Sequence, residues 1–290
     1  QTEIGSKNLD NLNKTFDCDL IQLKKNEKIY RKLAKIGFET VGDHEWPNHV
    51  GIYTWPIKMA MKMDIKLILY GEPQGLIGQG RSKKLKEIEK IDRGWFEQYV
   101  GLIGLRPKDM MEFDENLNIE NMFPYIFPED DEIKKKEIIP IFTGNYFKWD
   151  WHHVVSRMEK FGWERSNERT EGDYENIEDL DCGFQPIHQY FKFIKYGYAR
   201  ATDHASYEIR HNRLTKKQAK ELIITYDNEL PKRYFSEFLE FLNIKEEKFF
   251  EIRDKFTNHE LFKTGNNLHL KKTKKNELIL EDIWYESFDQ

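Results

Sequence analysis

The chain has 290 residues and a formal net charge of −5, length enough for one large domain or two smaller ones. That charge, with a pI of about 6.1, argues against a general nucleic-acid or membrane-surface binder, and 14% aromatic residues exclude a disordered chain. No apolar stretch is long enough to span a bilayer, no signal peptide is visible, and two distant cysteines, Cys18 and Cys182, exclude a disulfide scaffold, so a reducing, cytoplasmic setting is expected.

Residues 2–12 read as a loop running into a helix over about 7–15, followed by an apolar strand near 19–23 in which Cys18 is expected to be a small buried residue. A second helix is predicted near 28–36, then a His-, Trp- and Pro-rich loop over 42–51, a helix over 56–63 and a strand over 65–70. This alternation predicts an α/β fold with a doubly wound parallel sheet. The strand ends in Gly71, Glu72 and Pro73, and ligands in such sheets bind just past the carboxyl ends of strands. Glu72 is therefore a candidate site carboxylate. Gly78, Gly80 and Ser82 resemble part of a phosphate loop but lack the full Walker spacing. A helix near 91–100 and a strand near 138–142 follow. Beyond that strand end, Tyr146, Lys148 and Trp149 join the candidate list.

The second half reads as helical, with helices near 152–161, 186–196 and 216–226, one opened by Pro231, and one carrying Phe249, Ile252 and Phe256. The aromatic stripes are core. A Lys- and Glu-rich tail follows Thr264 and is expected to cover the surface or a partner. The expected division is residues 1–150 and 151–290. His44, His49, His152, His153 and His188 lack metal-ligand spacing, so no metal site is expected. A Cys182 nucleophile beside His188 is not favoured.

The richest segment is Lys195–Arg213. Lys195, Arg200 and Arg210 can hold phosphate or carboxylate, His204 titrates near neutral pH, and Asp203 can orient it. Thr215 and Gln218 fit a capping box, so Arg210 and Arg213 should lie before a helix N-terminus and face a ligand or acidic partner. Two blander readings compete. One is an amphipathic helix with surface charge. The other is an internal Arg200–Asp203 ion pair.

Several motifs in order carry a resemblance. Thr2–Leu12 resembles T-x-x-G-x-x-N-L-x-N-L, and Val41–Ile52 resembles V-G-D-x-x-W-P-x-H-x-G-I. Leu69–Pro73 resembles a strand ending in W-G-E-N, Gly101–Asp109 resembles G-L-L-G-L-R-x-x-D, and Gly144–Asp150 resembles G-x-Y-x-x-W-D. Lys195–Arg213 resembles K-F-G-x-x-R-A-T-D-x-A-S-x-x-I-R-x-G-R, with Asn212 where Gly is usual, and Asp254–Asn258 matches D-K-F-T-N. Together they resemble the N-acetyl sugar amidotransferase family (WbpG- and PseA-like), within the PP-loop ATP pyrophosphatase superfamily.

The resemblance implies a doubly wound, adenine-nucleotide-hydrolase-like sheet with a helical C-terminal region. It implies ATP and Mg2+ as cofactors and a nucleotide-linked or nonulosonic sugar as substrate. ATP activates the oxygen of an acetamido group as an adenylate, and ammonia displaces AMP to leave an acetamidino group. The ammonia is expected from a partner glutaminase through a cyclase-like subunit. The family's S-G-G-x-D-S phosphate loop and zinc-binding cysteine pairs do not occur in the chain, and the resemblance would put both upstream of Thr2, with any zinc confined there. The implied roles are His204, Asp203 and Glu72 for proton handling, and Arg200, Arg210, Lys195 and Lys148 for phosphate or substrate. Trp149, Tyr146, Trp46 and His49 would contact the sugar or substrate, and Gly71, Asn8 and Asn11 the nucleotide. The alternatives are a non-catalytic scaffold of a glycan-assembly complex or a tRNA-modifying PP-loop enzyme.

Overall fold

A computed structural model describes residues 2–71, 93–99, 102, 104–265 and 269–286. Glu72 and the Gly78–Ser82 segment lie outside them. The chain divides into two compact units, one formed by Ile21–Val154 and the other by Gln1–Leu20 together with Val155–Gln290. Residues 1–20 thus group with the second half of the chain.

In the Ile21–Val154 unit, helix α2 (Glu27–Val41) is capped by Asn26, whose side chain accepts from the Lys28 and Ile29 amides. Gly42 ends it in the left-handed region, φ 63°, where glycine carries no Cβ penalty. Helix α3 (Trp46–Met63) begins four residues later with proline in its first turn. The loop expected over 42–51 is therefore a short turn. Trp46, Val50, Tyr53, Ile57 and Ala60 are all buried at helical spacing, and burying that stripe outweighs the loop-forming Asn48 and Gly51.

Strand β1 (Leu67–Tyr70) pairs parallel with strand β2, Ile139–Phe142, in the register Leu67↔Ile139 to Tyr70↔Phe142. Among the described residues this is the whole sheet. Its inner face joins an aromatic core: the Tyr53 ring lies 5.1 Å from Tyr70 and 5.3 Å from Trp95. Its other face leaves Leu67, Leu69 and Ile139 more than half exposed. Short helices α4 (Arg93–Tyr99), α5 (Pro107–Met110) and α6 (Asp130–Lys135) lie between the strands in sequence.

The strand expected near 19–23 is absent. After α1 (Glu3–Phe16), Asp17 turns left-handed, φ 46°, and residues 18–26 form neither helix nor strand. Cys18, Leu20 and Ile21 are exposed, so Cys18 is not the buried residue expected. The Asp and Lys residues that interleave this stretch leave too little apolar surface to bury.

In the other unit, α1 docks through its N-terminus. Thr2 caps the helix by accepting from the Gly5 amide, 3.1 Å, and donates to the Leu180 carbonyl. A Cβ at Gly5 would come within 2.6 Å of the Asp181 backbone, so the close approach requires glycine. From Val155, within helix α7 (Trp151–Met158), the chain runs on to α8 (Gln185–Tyr196), α9 (Arg200–Arg210), α10 (Lys216–Tyr226), α11 (Phe235–Leu242) and α12 (Glu246–Phe256). Phe191, Phe193, Phe238 and Phe249 are fully buried among them, as the aromatic stripes predict. The tail folds back as short antiparallel bridges, Phe262↔Leu280 and Lys272↔Leu278. It ends in α13 (Asp282–Glu286). There the Trp284 ring meets Phe193 edge-on at 5.6 Å, and its Nε1 donates to the Gly197 carbonyl, 2.8 Å.

Candidate functional site

The segment singled out by its charge forms helix α9. Arg200, His204 and Glu208 recur every four residues and so share one face, and that face turns inward. His204 is 3% exposed. Its Nδ1 lies 2.8 Å from Asp173 Oδ2 and its Nε2 3.2 Å from Glu178 Oε1. Arg200 Nη1 sits 2.8 Å from Glu178, and its Nη2 3.4 Å from Asp179. Glu208 takes Arg213 in a two-pronged pair at 2.7 and 2.9 Å.

The carboxylates come from the loop before α8 and are fixed there. Arg169 clamps Glu229 with two bonds, 2.7 and 2.6 Å, and the Gly172 amide donates to the same carboxylate. That locks the turn that delivers Asp173. At the start of α9, Asp227 accepts from the amides of Ala199, 3.0 Å, and Thr202, 3.2 Å. A carboxylate thus already fills the anion-favouring end of this helix.

The electrostatics follow from this geometry. Burial opposes charge on His204, but a carboxylate against each ring nitrogen outweighs it and raises the imidazole to about 10. Burial also opposes charge on Glu178, yet Arg200 and His204 hold it at about 2. Desolvation pushes Asp179 up to about 6 despite Arg200, and pushes Asp227 up to about 6 despite its hydrogen bonds.

This corrects several expectations. His204 is a locked imidazolium with a carboxylate at each nitrogen, not a neutral group poised to take a proton. Asp203 neither orients His204 nor pairs with Arg200. It points elsewhere on the helix and meets Lys192 at 2.6 Å. Arg200 serves the internal cluster. Arg213 precedes α10 as predicted but faces Glu208, while the Arg210 guanidinium lies over the Tyr207 ring at 4.6 Å. Lys195 lies over the Phe256 ring at 5.5 Å. Asn8 exchanges hydrogen bonds with the Glu164 backbone, 2.8 and 2.9 Å, and Asn11 donates to the Phe161 carbonyl, 2.7 Å. Both amides therefore clamp α1 to its own unit.

In the Ile21–Val154 unit the strand ends are joined: Thr143 Oγ1 donates to the Tyr70 carbonyl at 3.0 Å, beside Gly71. The following turn holds Tyr146 at 68% and Phe147 at 74% exposure, with Lys148 exposed and Trp149 half-buried. Tyr146, Lys148 and Trp149 thus share one turn with the exposed Phe147. Trp46 is not a sugar platform. It is fully buried and its Nε1 donates to the Leu105 carbonyl, 2.9 Å. His49 sits in the first turn of α3, its Nδ1 3.4 Å from Asp43 Oδ2 in the short turn before the helix. In the same turn His44 lies 3.1 Å from Glu45. Burial alone would raise Glu45, but His44 and Asn48 draw it down to about 2.

Sequence reasoning also missed Asp173, Glu178, Asp179, Asp227 and Lys192. The acidic run over residues 171–181 was the available signal. Among the described residues no cluster of three or more His, Cys, Asp or Glu could hold a metal ion, and no helix is long and apolar enough to cross a membrane.

All of the α9 cluster lies within the stretch that has a known relative. Residues 150–275 match the family model described as LPS biosynthesis protein WbpG-like, C-terminal domain. This half of the chain is similar to a domain of lipopolysaccharide biosynthesis. No curated protein matches the chain.

Proposed function

We propose that the protein is an ATP-dependent sugar amidotransferase of surface-glycan biosynthesis. The single observation that carries this is the WbpG-like match over 150–275, joined to the ordered motifs of the first half. In the proposed reaction the acetamido oxygen attacks the α-phosphate of ATP and pyrophosphate leaves. Ammonia adds to the activated carbon, and AMP departs with the oxygen, leaving an acetamidino group. A glutaminase working through a cyclase-like subunit is the proposed ammonia source, and Mg2+ would shield the phosphate charge.

The proposed fold for the first half is a doubly wound sheet of the PP-loop kind. Two features support it: β1 and β2 run parallel, and Leu67, Leu69 and Ile139 are exposed on one face. Parallel sheets are ordinarily covered on both faces by further elements. The strand ends then mark the reacting region, with Gly71 and Glu72 after β1 and Tyr146, Lys148 and Trp149 after β2 as proposed contacts. The buried cluster on α9 would fix the fold of the second unit and not touch the reacting atoms. That internal engagement of Arg200 and His204 favours, as the second reading, a scaffold role within a glycan-assembly complex.

The test incubates the complete natural protein with nucleotide-linked and nonulosonic sugars, ATP and ammonium. Release of AMP together with an O-to-NH mass exchange in the sugar supports the enzyme. No AMP with any sugar, alongside stable binding to glycan-assembly proteins, supports the scaffold.

A further inference from the structure

The Ile21–Val154 unit contains a cleft of about 180 Å³. Its walls are apolar. Phe96 of α4 and Phe127 line it, stacked with ring centroids 4.7 Å apart and planes 23° apart. Both are buried, so this wall is in place before anything binds. Met111 and Ile126, each half-buried, continue it. Ile119 also lines the cleft but is 64% exposed, which puts it at the mouth. A cavity of about 150 Å³ lined by Leu, Ile and Phe stays dry and takes up benzene, so this cleft has room for one aromatic ring. Water is poorly held by such walls, and an apolar group that displaces it gains affinity.

The charges choose the sign of the ligand. Arg93, Arg106 and Lys108 line the cleft, and no carboxylate does among the described residues. The acids nearby are already engaged. Glu129 takes the Arg93 guanidinium with both oxygens, 2.5 and 2.6 Å. Asp130 accepts from the Arg93 amide, 2.9 Å, and Asp109 from the Arg106 amide, 2.8 Å. Arg93 is thereby neutralised. Lys108 is exposed, and its ammonium meets no carboxylate among the described residues. Apolar walls beside an uncompensated cation suit a ligand that is apolar at one end and anionic at the other.

We propose that this cleft binds a small aromatic carboxylate, its ring against Phe96 and Phe127 and its carboxylate at Lys108. None of the residues assigned to the reaction proposed above lines the cleft, so binding here does not depend on that reaction.

The test titrates the complete chain at constant ionic strength with phenylacetate. Phenethyl alcohol carries the same ring without charge, phenethylammonium carries it with the opposite charge, and acetate carries the charge without the ring. Calorimetry and the methyl resonances of Met111, Ile119 and Ile126 report binding. Phenylacetate should saturate and bind most tightly, phenethyl alcohol should bind more weakly, phenethylammonium more weakly still, and acetate should not saturate. Lys108→Gln should weaken phenylacetate about three- to fivefold and leave phenethyl alcohol unchanged. Ile119→Asp places a carboxylate at the mouth and should weaken phenylacetate more than about tenfold. Both substitutions fall at exposed positions, and if either variant does not fold, the four ligands on the parent protein decide. The proposal fails if phenylacetate does not saturate, if acetate or phenethylammonium binds as tightly, or if the folded Lys108→Gln protein binds phenylacetate like the parent.

Discussion

Each unit holds a buried cluster of histidine and carboxylate, and the two are built in opposite ways. In the Ile21–Val154 unit, Asp43, His44, Glu45 and His49 come from a single turn and the helix it starts. In the other, Asp173, Glu178 and Asp179 arrive from a loop and meet Arg200 and His204 on α9. The first is a local device that forms as soon as α3 does. The second closes over a stretch of chain, so its charges stay buried only while the loop, α9 and the Arg169–Glu229 clamp are all in place. Adjacent residues therefore need not act together: Asp203 and His204 are neighbours in sequence but serve different partners.

The strongest way to break the comparison is Arg200→Ala. Removing one partner of the long-range cluster leaves buried carboxylates uncompensated and should cost about 3–5 kcal/mol, read as a lower melting transition of the C-terminal unit. The second route is pH. His204 is raised from its ordinary 6.5 to about 10, so its contribution is complete below 6.5 and is lost as pH rises through 10. Asp179 and Asp227, raised from 3.8 to about 6, act in the same direction at lower pH. The melting temperature should fall between neutral pH and about 10, His204→Gln should flatten that slope, and the His204 ring resonances should not titrate near neutrality. In the local cluster, Glu45→Gln should cost about 1–3 kcal/mol. Glu45 is lowered from 4.5 to about 2, so its contribution is present above 4.5 and disappears as pH falls through 2, the opposite sign to His204. The smallest effect belongs to an exposed pair. Lys7→Ala breaks its contact with Glu164 and should shift stability by less than about 1 kcal/mol.

What the sequence made legible was local. The capping box at Thr215 and Gln218 forms as read. Asn212 adopts the left-handed turn, φ 57°, that a glycine would otherwise supply. Strands β1 and β2 lie where the apolar runs place them. The failures share a physical cause. Helix α3 absorbed a polar-looking loop because its buried stripe spans it, and the segment after α1 lost its strand because no partner paired with it. The carboxylates around His204 were not visible because irregular loops carry no periodicity from which to infer where their side chains go.

The contact of Trp284 with Phe193 and the Gly197 carbonyl bears on where this half of the chain can be cut. The family match ends at residue 275, but Leu278, Leu280 and Trp284 are all buried. A fragment trimmed to the match would lose the bridges that close over Phe262 and strip the cover from the elbow between α8 and α9. It would also lack α1, whose Thr2, Asn8 and Asn11 hold residues 161–181. For expression and crystallisation, the smallest sound piece of this half is discontinuous in sequence, so it is best produced with both chain ends present.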